Sequence, residues 1–137
     1  MNKKEVVGNL TLNPIEREGF RRDFYDCEGV ITGAGFMTSS EALHLGKKLL
    51  LHPLSGHPEQ ASNVMALKDL GAAHVMDGLD SKALKGFLLD DVAAQIKYPD
   101  VTKPLADWVM DGDYSEDSKN ELCQSLWDQT EVSFDNS

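Results

Sequence analysis

Apolar and polar positions along this chain follow two rhythms, and the change from one to the other marks out its elements. Val7 to Leu12 alternates apolar with polar, the period of a half-buried strand. Between Glu16 and Cys27 the apolar residues Phe20, Phe24 and Cys27 recur at helical spacing, which predicts a helix with one buried side. Gly29-Val30-Ile31-Thr32 reads as a short buried strand, and Glu41 to Leu45 as a helix stopped by Gly46. The arrangement then repeats. Lys48 to His52 is an apolar strand, Pro53 to His57 a turn, and Pro58 opens a helix where its missing N–H costs nothing. That helix runs to Leu70, with Ala61, Val64, Leu67 and Leu70 as its buried stripe and Gly71 as its stop. Ala73 to Met76 is a fourth short strand, and Asp80 or Ser81 caps a helix through Leu84, Phe87 and Leu88.

Beyond Tyr98-Pro99 the strand signal stops. Leu105 to Met110 and Lys119 to Trp127 predict two short helices, with Leu122, Leu126 and Trp127 as packing residues, and Gln129 to Ser137 reads as frayed. Strand-helix alternation with short links implies an α/β fold, a Rossmann-like parallel sheet flanked by helices, followed by a helical acidic tail. The expected division is 1–98 for the α/β part and 99–137 for the tail. Ligands of such sheets bind outside the carboxyl ends of the strands, where both turns fall.

Charge sharpens that division. The net charge is −10, and from Pro99 onward ten acids face two bases, so only −2 belongs to the first 98 residues. No basic stripe exists to neutralise phosphates, which excludes nucleic acid as a partner. The one positive cluster, Arg17, Arg21 and Arg22, reads first as a solvated helix face and second as a patch for an anionic substrate or peripheral membrane contact. No run approaches the ~20 apolar residues of a membrane span. The start, Met1 to Gly8, lacks the apolar segment of a secretory signal. Cys27 and Cys123 are far apart and lack metal spacing, so a reduced, cytoplasmic protein is expected.

The chemistry gathers at the two turns. A strand, the Gly33-Ala34-Gly35 turn and a helix start make an anion site, because free backbone N–H groups and the helix dipole point at one spot. Each candidate residue also has a plainer role. Thr38 and Glu41 fit the S/T-x-x-E capping box. Glu59 falls in a first helical turn, where an acid is favoured anyway. Gln60 and Asn63 share one side of their helix, and Phe36 reads as a packing residue under the glycine turn. Other constellations are poorer. His44, His52, His57 and His74 are scattered, so no metal site is expected. Ser39 and Ser40 lack the G-x-S-x-G elbow, and the glycine turn lacks the third glycine of a dinucleotide fingerprint.

Gly35, Thr38, Glu41, Ala42, Gly46, Pro53, Glu59, Gln60 and Asn63 stand in an order and spacing that resembles the donor signature of nucleotide-sugar glycosyltransferases. The likeness is to the peptidoglycan N-acetylglucosaminyltransferase and to the UDP-glucosyl and UDP-glucuronosyl transferases, enzymes of two Rossmann-like lobes (GT-B). It runs from Leu12 to Ala73, about half the chain. The resemblance implies that Thr38 and the N–H groups around Phe36 and Met37, beyond Gly35, hold the diphosphate of a UDP-sugar. It implies that Glu41 accepts from the ribose hydroxyls, and that Glu59 and Gln60 read the transferred sugar. Asn63 would hold the loop or the backbone next to the sugar, and Ile15 and Phe20 would lie near the uracil. Two positions depart from the plant-type pattern, with Gly33 in place of a His and Met37 in place of an Asn.

No further strand or glycine-rich turn precedes Val6, and the acceptor lobe with its catalytic base is missing. The expectation is therefore a partial C-terminal, donor-binding lobe, completed by the acceptor lobe or by a partner subunit, with little activity alone. It uses no cofactor beyond the nucleotide-sugar substrate, UDP-GlcNAc or another UDP-hexose. The alternatives are a nucleotide-sugar epimerase of the same architecture and a non-catalytic subunit of a split transferase.

Overall fold

The computed structural model describes residues 3–90 and 92–136. Two short strands come first, β1 (Glu5–Val7) and β2 (Leu10–Leu12), paired antiparallel with Val7 opposite Leu10. The expected single strand from Val7 to Leu12 is therefore a hairpin. Gly8 takes φ 62°, and Gly-X at a two-residue turn is the type II′ signal that reverses the chain. Helix α1 (Arg17–Asp26) leads into β3 (Gly29–Thr32), and α2 (Phe36–His44) into β4 (Lys48–Leu51). Helix α3 (Pro58–Asp69) leads into β5 (His74–Val75). Strands β3, β4 and β5 form a parallel sheet in that order, with Gly29 opposite Lys48 and Leu51 opposite Val75.

The centre of the sheet is the Leu49-Leu50-Leu51 run, each residue at most 2% exposed. Successive strand side chains point to opposite faces, so this run must be covered twice. On one face Leu49 and Leu51 pack with Phe24 of α1 and with Ala42 and Leu43 of α2. On the other, Leu50 packs with Met76 and with Phe87 of α4 (Ser81–Leu89). Asp80 caps α4, accepting from the Lys82 N–H at 2.8 Å. The two β-turn-α units also end alike. Gly46 and Gly71 take φ of 64° and 65°. In each case the glycine N–H and the next N–H bond back to the helix, Gly71 to Lys68 and Ala72 to Leu67 in the second. This is the Schellman stop, which needs a left-handed residue and turns the chain straight into the next strand.

The expected stripe on α3 is only partly buried. Val64 and Leu67 pack on the core, whereas Ala61 and Leu70 are exposed. Steps of three residues drift about 60° per step around a helix, so the ends of a 61-64-67-70 series lie on opposite sides.

The C-terminal region holds more order than its composition suggests. Helices α5 (Thr102–Asp111) and α6 (Glu116–Asp128) bracket the two predicted ones. They are tied by Trp108, whose Nε1–H donates to Ser118 Oγ at 2.8 Å and whose ring meets Tyr114 edge-on. Leu122 and Leu126 are half-buried, but Trp127 is 71% exposed and does not pack. Two strands flank the pair. β6 (Val92–Lys97) pairs antiparallel with β7 (Glu131–Asn136) along its whole length. Residues 131–136, expected to fray, are thus a strand; Ser137, like Met1 and Asn2 of the segment read as lacking a signal, lies outside the described residues. The β6 strand joins the main core through Ala94 and Ile96.

Two glycines separate packing from propensity. A Cβ on Gly29 would stand 2.7 Å from Phe87 Cζ and 3.3 Å from the Lys48 carbonyl, whereas a Cβ on Gly86, exposed within α4, would meet nothing within 4 Å. In urea melts Gly29→Ala is expected to destabilise by roughly 1–3 kcal/mol through overpacking. Gly86→Ala is expected to stabilise by about 1 kcal/mol through helix propensity. A neutral Gly29→Ala would show that Phe87 yields freely and that the α4 face is loosely packed.

Candidate functional site

Both candidate turns leave the carboxyl edge of the parallel sheet side by side. The β3 ladder continues into the first, since the His52 N–H donates to the Thr32 carbonyl at 2.8 Å. Next comes Ala34, fully buried at φ 64°, a left-handed conformation that costs a non-glycine residue about 1 kcal/mol. Its methyl group fills the core beside Ala42 and Leu43, which is what an alanine offers here over a glycine. Its carbonyl accepts a hydrogen bond from Asn63 Nδ2 at 3.0 Å. The second turn is held from the same helix. Gln60 Oε1 accepts from the Leu54 N–H at 2.9 Å.

Gln60 also lies beside Gly33, one of the two positions that depart from the plant-type pattern. A Cβ at Gly33 would lie 3.5 Å from Gln60 Oε1 and 3.8 Å from its Nε2. These are ordinary contact distances, so the Gln60 amide packs against residue 33 without excluding a Cβ there. With Oε1 accepting from Leu54, the Nε2–H₂ group of Gln60 offers two donors and Oε1 one further acceptor site.

The capping box is not formed. Helix α2 starts a turn earlier than the expected Glu41, with extended Gly35 as N-cap and no side-chain cap. Ser39 N–H donates to the Gly35 carbonyl as the first helical bond, so the N–H groups of Phe36, Met37 and Thr38 have no intrahelical acceptor. Phe36 and Met37 are 65% and 68% exposed, so Phe36 does not pack beneath the turn as expected. A Cβ on Gly35 would meet nothing within 4 Å, so the approach to these donors is open.

What distinguishes this helix is its lack of an acid. The starts of α1 and α3 carry Glu18 and Glu59, α4 has Asp80, and α6 has Glu116 and Asp117. At α5, Asp100 accepts from the Thr102 N–H at 2.9 Å, and that bond holds its carboxyl below the ordinary aspartate range. Only α2, among the described helices, has no acid in or just before its first turn. In a chain with 23 acids against 13 bases this leaves one uncompensated positive helix end, beside the Ala34 loop. Glu59, exposed at the start of α3, balances the dipole of that helix, so the uncompensated end is that of α2.

The other candidates lie toward α1. Glu41 is exposed in the second turn of α2 and opens onto a groove of about 900 Å³ between α1 and α2, whose far wall includes Phe20. Ile15 is fully exposed and lines a different groove, between the start of α1 and the free edge of β3; Phe20 lines both. The structure therefore places Phe20, but not Ile15, in one groove with Glu41. Tyr98 and Asp100 also line that groove, and the sequence reading had assigned them no role. They come from beyond the chain's recognisable turns, and the missed strand β6 brings them there. No cluster of three His, Cys, Asp or Glu side chains suited to a metal exists among the described residues, and none of their helices is long and apolar enough to cross a membrane.

The Asn63 bond gives the site its own test. Replacing Asn63 by Ala leaves the buried Ala34 carbonyl without its donor. It is expected to cost about 1 kcal/mol in a denaturant melt and to shift the amide resonances of residues 33–36. Unchanged resonances there would mean that Asn63 does not set the loop.

No curated protein and no solved structure gives a significant match to the chain. Residues 1–91 match the family model for glycosyl transferase family 1, and that span contains the whole parallel sheet, both turns and α4. It supports glycosyl transfer as the activity class, with a nucleotide-sugar donor and an acceptor. With this span covering most of its length, the chain belongs to glycosyl transferase family 1.

Proposed function

We propose that this chain is the donor-binding part of a UDP-sugar glycosyltransferase, close in its donor signature to the peptidoglycan N-acetylglucosaminyltransferase and the UDP-glycosyltransferases. The observation that carries this reading is the bare N-terminus of α2, open at Gly35 and set against a loop that Asn63 holds in place. A diphosphate placed there accepts from the N–H groups of Phe36, Met37 and Thr38 and from the Thr38 hydroxyl. Glu41, one turn further on, accepts from the ribose hydroxyls. Glu59 and the Gln60 Nε2–H₂ group, at the start of α3, read the sugar transferred from the donor, UDP-GlcNAc or another UDP-hexose. Asn63 acts through the Ala34 loop rather than by touching the ligand.

The chemistry this arrangement supports is electrostatic. When the glycosidic bond to the diphosphate breaks, negative charge builds on the departing UDP, and preoriented N–H donors at a helix start stabilise it with no reorganisation at the moment of reaction. Activation of the acceptor hydroxyl is assigned to an acceptor lobe or partner subunit, in a cytoplasmic enzyme that makes peripheral membrane contact. Family membership favours transfer over the epimerase alternative, since Glu59 would be the lone carboxylate near the sugar.

Glu41 separates recognition from stability, because it lies beyond the cap positions and is exposed. In an NMR titration with UDP, Glu41→Ala is expected to weaken binding on the order of tenfold, the scale of a lost hydrogen bond to a charged group. Its urea midpoint should stay within about 0.5 kcal/mol of the parent, as for other exposed substitutions. Undiminished UDP affinity in the variant would remove Glu41 from the site.

A further inference from the structure

We infer that α5 and α6 form a docking face for a partner protein, and that its occupant is an amphipathic helix whose apolar side is flanked by lysines or arginines. Both helices lie beyond residues 1–91, so this face belongs to the part of the chain outside the family-matched span.

The two helices are ordered without a core of their own. Neither contains a buried residue, and neither contributes to the clusters that pack around the parallel sheet. Yet both carry apolar stripes. Val101, Leu105 and Trp108 recur at steps of four and three along α5, and Leu122 and Leu126 follow Ser118 at steps of four along α6. The bond from Trp108 Nε1–H to Ser118 Oγ sets the two stripes against each other. Two helices alone leave such a seam open: Val101, Leu105 and Val109 remain 44%, 48% and 49% exposed. A third helix closes it, seating its own apolar residues in the groove between the pair. With ten and thirteen residues in α5 and α6, the groove is about 15–20 Å long, the span of three to four helical turns.

Charge decides among the occupants. From Pro99 onward ten acids face two bases, a balance of −8, and both lysines are held by acids of their own helices, Lys103 by Asp107 and Lys119 by Glu116. Asp111, Asp117 and Glu121 stay exposed on the pair. A second copy would set −8 against −8, and an anionic membrane surface would be repelled in the same way. A helix with basic flanks meets opposite charge instead, and the long-range attraction speeds its approach. Such a helix lays apolar anchors, one turn apart, into the seam and sets its lysines or arginines beside the acids.

An NMR titration of the whole chain with two synthetic peptides of about 18 residues, long enough to span the pair, decides the matter. One carries leucines on one helical side and lysines on the other; the second has the same composition in scrambled order. The amphipathic peptide should bind on the order of tenfold more tightly than the scrambled one, with amide shifts gathered in residues 101–128. Leu105→Asp should abolish that difference, while the Trp108 indole N–H resonance, fixed by Ser118, reports that the helix pair is still folded. Should Leu105→Asp lose that resonance, Glu121→Lys, an exposed position next to Leu122, takes its place and should weaken binding by charge reversal. Equal binding of the two peptides, tight or absent, would overturn the docking face. So would shifts centred outside α5 and α6, or undiminished binding by a folded variant. A parent that sediments as a dimer, with Leu105→Asp a monomer, would give the face to a second copy and overturn the basic partner.

Discussion

Burial of Leu49, Leu50 and Leu51 from both sides is the constraint from which the rest of the chain follows. A strand with water on one face could alternate apolar and polar; this one cannot, because α1, α2 and β6 cover Leu49 and Leu51 while α4 covers Leu50. Parallel neighbours require that each connection return across the sheet, and the helices in those connections cover its faces. The turns after β3 and β4 are thereby forced to the same edge. Nothing in the chemistry of Gly35 or Gln60 places them together; the burial of three leucines does. The site then adds its own cross-links, Asn63 to the Ala34 carbonyl and Gln60 to the Leu54 N–H, both from one helix face. Asn63 reaches from the second unit into the first turn, while Gln60 closes the second turn within its own unit, so the spacing between the two helix starts is set by a hydrogen bond as well as by the sheet.

The strands and helices of the first ninety residues were legible because their signals are local. Gly46 and Gly71 end helices through bonds that span only a few residues, and Pro58 opens one through its own geometry. What stayed hidden depends on distant partners. Val92 to Lys97 carries a weak alternation and becomes a strand only because Glu131 to Asn136 pairs with it from across two helices. That second segment does alternate, with Val132 and Phe134 between polar residues, and the signal was masked by its acidic surroundings and terminal position. The hairpin at Gly8-Asn9 was missed because one continuous alternation passes through its turn. Residue types at the site were readable, but their division of labour was not. The sequence offers Thr38 and Glu41 as a capping box with as much force as it offers them as ligands. Only the extended backbone at Gly35 shows that the helix begins a turn before that box could close.

The acidity of the chain takes on a different meaning once its placement is known. Many of its acids are local folding devices: Asp80 at α4, Asp100 and Asp113 bonded to the N–H groups of Thr102 and Ser115, Glu116 and Asp117 in the first turn of α6. The two lysines of the C-terminal region are absorbed in the same way, Lys103 on Asp107 and Lys119 on Glu116, exposed pairs worth only a few tenths of a kcal/mol each. A surplus of negative charge that is spent on helix starts everywhere else makes its omission at α2 informative. A protein with this composition would fill that position with an acid at no cost if stability alone mattered. Leaving the helix end bare gives up a macrodipole interaction of about 0.3–1 kcal/mol, and an anionic ligand bound there restores it.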